Sequence, residues 1–253
     1  MISKFRQHLA CSSLVAAIAL AISACATSAF ADPSDSEACL RPSTPDAQIA
    51  ACTRLIEAGA ANPSDLAAFY FHRAIARRFQ KQYDAAIADF DAGLKLDPKA
   101  ALGYIGRGTT RALMRQLGDA VKDFDTGLQL DPNNLEGHAY RGMAYAQQGQ
   151  YDAALADFDE VVRRDPKSPG AYYQRGMVYR LMGKHEQASQ DMATAVDLQP
   201  NNPLALNDLG LAYLNGLGVA KDKKKAIELF EKAAVLGFEP AKQNLAHANA
   251  PGN

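Results

Sequence analysis

Counted from residue 67, the small and apolar positions of this chain recur every 34 residues, in four copies: 67–100, 101–134, 135–168 and 169–202. The eighth position of each copy is Ala74, Gly108, Gly142 or Gly176, and the twentieth is Ala86, Ala120, Ala154 or Ala188. Small side chains there let two helices of one copy approach closely. The twenty-fourth position is Phe90, Phe124, Phe158 or Met192, large enough to fill the space beside that contact. Pro98, Pro132, Pro166 and Pro200 close the copies, because proline cannot continue a helix. Period 3.6 breaks in mid-copy, near Gly118, Gly149 and Gly183, which predicts a helix of about 13 residues and then a second of similar length. No run alternates in the manner of a strand. The expected fold is therefore all-α, a stack of antiparallel helix pairs.

Small, small, Phe and Pro at these spacings, with runs such as Tyr140-Arg141-Gly142-Met143-Ala144-Tyr145, resemble the tetratricopeptide repeat. The copies depart from it at His138, Arg77 and Arg111, where tyrosine is usual. The resemblance implies a right-handed superhelical solenoid. Leu209-Gly210-Leu211-Ala212-Tyr213-Leu214-Asn215-Gly216-Leu217-Gly218-Val219, continued by a helical run from Lys225, resembles the SEL-like repeat, a longer relative with a glycine-rich loop. No strand precedes that Gly-x-Gly, so it is read as a turn and not as a phosphate cradle. The expected plan is a degenerate repeat at 32–66, four repeats over 67–202, a SEL-like repeat at 203–237 and a capping helix and tail at 238–253.

The first residues read as an address. Lys4 and Arg6 precede an apolar run from Leu14 to Ile22, and Ala29-Phe30-Ala31 supplies an A-x-A site. This predicts a signal peptide over 1–31, cleaved between Ala31 and Asp32, in an exported protein of bacterial type with a periplasmic destination. Ile22-Ser23-Ala24-Cys25 also looks like a lipobox, so the alternative is an envelope lipoprotein scaffold acylated at Cys25. Cleavage removes Lys4 and Arg6 and leaves 25 basic against 28 acidic residues, a net charge of −3. That balance argues against nucleic acid. The one dense basic run, Lys221-Asp222-Lys223-Lys224-Lys225, reads as a solvated helix start with Asp222 as its cap. Cleavage also leaves two cysteines. In register, Cys39 and Cys52 fall at positions 8 and 21, where paired helices come closest, and an exported chain favours a disulfide between them. Two buried free thiols remain the other reading.

Candidate chemistry is sparse. His72, His138, His185 and His247 share no ligand spacing, and the chain lacks G-x-S-x-G, H-E-x-x-H and P-loop patterns. A non-catalytic protein with no cofactor and no metal is expected, monomeric, and at a membrane only if lipidated. One polar set is regular. Position 7 is Arg73, Arg107, Arg141 and Arg175, and position 23 is Asp89, Asp123, Asp157 and Asp191. These predict a structural ladder of Arg–Asp pairs, within or across repeats; an arginine row receiving an acidic partner is the rival.

The tetratricopeptide resemblance also implies a concave groove lined by positions 2, 5, 9, 12 and 13 of the first helices. Transferred here, these give Phe71, Ile75 and Arg78, then Ile105 and Thr109 with Leu102 and Leu113. Met143 follows, then Tyr173, Met177 and Arg180 with Leu181, and finally Asn207 and Leu211. The expected function is a scaffold or adaptor that binds a peptide or protein in this groove. Saccharide-binding or enzymatic use of the groove is the remaining alternative, and the chain has no Trp to serve as a sugar platform.

Overall fold

A computed structural model describes residues 33–59 and 62–250. Among them are thirteen helices and no strand. The predicted cleavage site at Ala31 and Asp32 and the lipobox Cys25 lie outside the described residues. The described residues divide into two compact units, which part after Pro98.

The first unit contains α1 (Pro33–Leu40), α2 (Pro45–Ala58), α3 (Pro63–Phe79) and α4 (Tyr83–Leu96). Thr44 and Asn62 cap α2 and α3 by accepting the amides of Ala47 and Asp65 at 3.2 and 2.9 Å, and a proline opens each helix. The short α1 is tied to α2 by a Cys39–Cys52 disulfide with a Cα–Cα distance of 4.9 Å. Gln48 Nε2 donates to the Cys39 carbonyl at 2.8 Å, and Arg54 pairs with Asp35, whose carboxyl that hydrogen bond holds below its ordinary range. A loop this short makes the disulfide worth about 3 kcal/mol. It stands in for the apolar area that an eight-residue helix lacks.

The second unit contains α5 (Ala101–Leu113), α6 (Leu117–Leu130), α7 (Leu135–Gln147), α8 (Tyr151–Arg164), α9 (Pro169–Leu181) and α10 (His185–Leu198). It continues with α11 (Pro203–Asn215), α12 (Lys223–Val235) and α13 (Glu239–Asn249). Each helix packs on the next, most extensively within the pairs α5/α6, α7/α8, α9/α10 and α11/α12. A Cβ on Gly108 would lie 2.9 Å from the Phe124 ring, and one on Gly210 would lie 2.6 Å from Phe230. The small position therefore exists to receive the large one. Phe90, Phe124, Phe158, Met192 and Phe230 are fully buried, each contributing about 1.5–3 kcal/mol.

The proline of each copy acts through the residue before it. Asp131, Asp165 and Gln199 leave the helical region, with φ between −126° and −136°, as a following proline requires. At the other turn, every first helix ends in the same way. The amides of Gln82, Gln116, Gln150 and Lys184 reach back five residues to Arg77, Arg111, Tyr145 and Tyr179, each at 2.9 Å. The residue before each of these amides is left-handed: Lys81, Arg115, Gly149 and Gly183, with φ from 61° to 75°. The sequence pointed to Gly118 for the second of these turns. It lies instead inside α6, and Arg115 takes the left-handed position because the five-residue reach fixes it there.

Candidate protein-interaction face

The first helices carry the arginines of position 7 and the second helices the aspartates of position 23, sixteen residues on. Each pair is a two-pronged fork. Nε and Nη2 meet the two carboxylate oxygens at 2.9 and 2.7 Å in Arg73–Asp89, and at 3.0 and 2.6 Å in Arg107–Asp123. The distances are 2.9 and 2.8 Å in Arg141–Asp157, and 2.8 and 2.8 Å in Arg175–Asp191. All four aspartates are buried. The third nitrogen reaches elsewhere: Nη1 of Arg141 donates to Asp125 of the preceding repeat, and Nη1 of Arg175 to Asp159, both at 2.7 Å. Arg73 Nη1 finds Thr53 at 3.0 Å. The ladder thus runs within and across repeats, and its carboxylates raise the proton affinity of Arg141 and Arg175. With three nitrogens engaged, Arg141 and Arg175 have little left to offer an acidic partner.

The departures from the repeat pattern join this ladder. Arg77 and Arg111 donate to Asp89 and Asp123 at 2.8 and 2.7 Å. Tyr145 and Tyr179 occupy the same position in the later repeats and lie 5.8 and 5.9 Å from the guanidiniums of Arg141 and Arg175. His138 sets Nδ1 2.8 Å from Asp157 and Nε2 3.2 Å from the Pro132 carbonyl.

Four residues assigned to the groove are interior. Phe71 is 4% exposed, stacked on Phe90 and seated over Gly93. Ile105 lies over Gly127 in the same way. In these two repeats position 5 therefore fills the notch left by glycine at position 27 and does not face a partner. The third repeat carries Ala139 and a buried Val161 at those two positions. Thr109 is buried and donates to the Ile105 carbonyl at 2.8 Å, and Asn207 is buried and accepts from Asn244 at 2.8 Å.

The other candidates reach the surface. In the first unit Ile75 and Arg78 are half-buried, and Arg78 lies 5.8 Å from the ring of Phe79, a 70% exposed residue missing from the sequence-derived groove set. In the second unit Met143, Tyr173, Met177 and Leu211 are half-buried, and Arg180 is exposed. Leu113 and Leu181, at position 13, are 53% and 54% exposed. Tyr173 donates to Asp208 at 3.0 Å; burial first, and then that carboxylate, push its phenol upward, so it remains a donor. Beside these residues lies a cleft of about 160 Å³ between α9, α10, α11 and the loop before α12. Its lining was not legible from helix spacing, because it depends on where that loop lies. Among the described residues no group of three His, Cys, Asp or Glu could hold a metal ion, and no helix is long and apolar enough to cross a membrane.

Tetratricopeptide-repeat families match residues 67–100, 124–156, 142–183 and 176–216, and the Sel1 repeat matches 203–238. No curated protein matches the chain. Among solved structures, MamA is 26% identical, with a TM-score of 0.56 over 66% of this chain and 95% of its own. YrrB, described as a TPR protein with an unusual peptide-binding site, is 23% identical, with a TM-score of 0.58 over 78% of this chain and 96% of its own. The APC/C hetero-tetramer Cut9–Hcn1 gives a TM-score of 0.67 at 14% identity, over 85% of this chain and 45% of that one. The last two bear on the fold alone.

Proposed function

We propose that this chain, a tetratricopeptide-repeat protein with a C-terminal Sel1 repeat, is a non-catalytic periplasmic adaptor that holds a peptide or a protein surface on the first-helix face of its second unit. Repeats of these two kinds form protein–protein interaction scaffolds. The observation that carries the finer reading is the contrast between two sets of side chains on the same helices. The ladder arginines of α7 and α9 have all three nitrogens engaged. Leu113, Met143, Met177, Arg180 and Leu181 are left wholly or partly open to solvent. Methionine adapts its shape to different partners, and leucine supplies apolar area. That YrrB has a peptide-binding site supports a peptide as the kind of partner such a fold takes. The Cys39–Cys52 disulfide supports an oxidising compartment, in keeping with the address read at residues 1–31.

The test has two arms. Intact mass of the chain recovered from its native host should give a mature protein that starts at Asp32, two hydrogens lighter than its reduced form. An acylated Cys25 would replace the soluble adaptor with the lipoprotein scaffold. In-cell crosslinking should capture a protein on wild type that is lost from a Leu113→Asp/Leu181→Asp double variant of unchanged melting temperature. Retention of that protein by the folded variant would move the site off this face.

A further inference from the structure

The loop between α11 and α12 is fastened to the preceding repeat. Gly216 and Gly218 are both left-handed, with φ of 71° and 72°. A Cβ on Gly218 would fall 2.0 Å from the His185 carbonyl oxygen, so only glycine lets the loop lie on the start of α10. Ser189 Oγ lies 3.0 Å from the Glu186 carbonyl and 3.2 Å from the Gly218 carbonyl, and its single proton is shared between the two. Between the two glycines stands Leu217, 38% exposed and lining the cleft with Met192 and Leu211. The loop thus spends two special backbone positions to display one apolar side chain. The resulting wall is preformed, which lowers the entropic cost of binding.

The cleft holds about 160 Å³. Apolar cavities of about 150 Å³ accept a benzene ring, so this one suits a single Leu, Met or Phe side chain. Its rim carries both signs of charge, and they differ in how they are engaged. Asp208 is occupied, taking the Tyr173 hydroxyl at 3.0 Å and the Asn207 amide at 3.2 Å. Arg180, by contrast, is exposed, and among the described residues its one hydrogen-bonding contact is the Met177 sulfur at 3.5 Å. Lys184 precedes His185, and Lys221 lies against Gly216, both exposed. Glu186 is the acidic neighbour on α10, and Asp222 is turned to cap α12 by accepting the Lys225 amide at 2.9 Å.

We propose that this cleft receives one apolar side chain of an acidic peptide segment, with the carboxylate next to that side chain paired to Arg180. The inference rests on the first-helix face being the partner site and names the chemistry of the partner there.

Display selection of random twelve-residue peptides on the full chain tests it. The expected consensus is a large apolar residue beside Asp or Glu. Anisotropy with a labelled peptide of that consensus should show about tenfold weaker binding to Arg180→Glu and to Leu217→Asp. Replacement of the peptide's acid by Lys should restore binding to Arg180→Glu. A consensus without an acid, or binding unmoved by Arg180→Glu, would overturn the inference. If such peptides still fail on Leu113→Asp/Leu181→Asp, the adaptor reading survives without the cleft. If no peptide is enriched, both fall.

Discussion

Repeats 67–100 and 101–134 part from repeats 135–168 and 169–202 at positions 11 and 15, among others, while keeping the same turns. In the earlier pair, position 11 is arginine and adds a second guanidinium to the buried aspartate; in the later pair it is tyrosine and lies beside the first guanidinium. In the earlier pair the left-handed residue is Lys81 or Arg115; in the later pair it is Gly149 or Gly183. A left-handed non-glycine residue costs about 1–2 kcal/mol. Strain is thus tolerated where two arginines share one buried aspartate, and absent where one arginine bridges two aspartates. The lesson is that the repeat fixes a backbone and an aspartate, and leaves each copy to satisfy them with its own chemistry.

That contrast predicts a ranked set of effects. Asp123→Asn removes the acceptor of Arg107 and Arg111 together, and should cost about 3–5 kcal/mol by denaturant melting. Asp191→Asn removes the acceptor of Arg175 alone, which keeps Asp159, and should cost visibly less. Equal losses would mean that the extra arginine adds nothing. Next, Arg111→Leu should destabilise by about 1–2 kcal/mol, through loss of a charged hydrogen bond. Tyr179→Leu should cost about 0.5–1 kcal/mol, since it forfeits a partly exposed cation–π contact. The turns give a change of opposite sign. Arg115→Gly should stabilise by about 0.5–1 kcal/mol, whereas Gly149→Ala should destabilise by about 1 kcal/mol. Thermal melts of both would settle whether strain separates the two pairs.

The smallest effect belongs to His72, which only the first repeat carries at position 6. Burial holds its imidazole below 6.5 in the folded chain. As pH falls, the unfolded chain therefore protonates first. The stability is fully present above the unfolded value and is lost as pH drops through the folded one. Denaturant melts from pH 7.5 to pH 5 should show this slope, and His72→Gln should flatten it.

Most of this architecture was legible because identical residues return at identical spacings. Ala120 and Phe124 have one role in every copy, so a pattern suffices to find them. The ladder residues were legible as a set, but their pairing was not, because sequence alone does not tell within from across, and Arg141 does both. Phe71 and Ile105 were misjudged for a specific reason. Whether position 5 faces outward depends on the volume at position 27, and Gly93 and Gly127 draw those side chains inward. Gly118 drew attention as a glycine, although backbone geometry had assigned the turn to Arg115. The cleft beside Leu217 lay beyond reach, since it arises from a loop resting on another repeat.

The central claim is that a partner sits on the first-helix face of the second unit. A photo-crosslinking residue tests it in the full chain in the native host, placed singly at Leu113, at Met177 or at the exposed Gln190, which lines a surface pocket with Arg175 and Asp191 of the ladder. One partner adduct is expected from Leu113 and Met177 and none from Gln190. The same adduct from Gln190, with none from the other two positions, would contradict it.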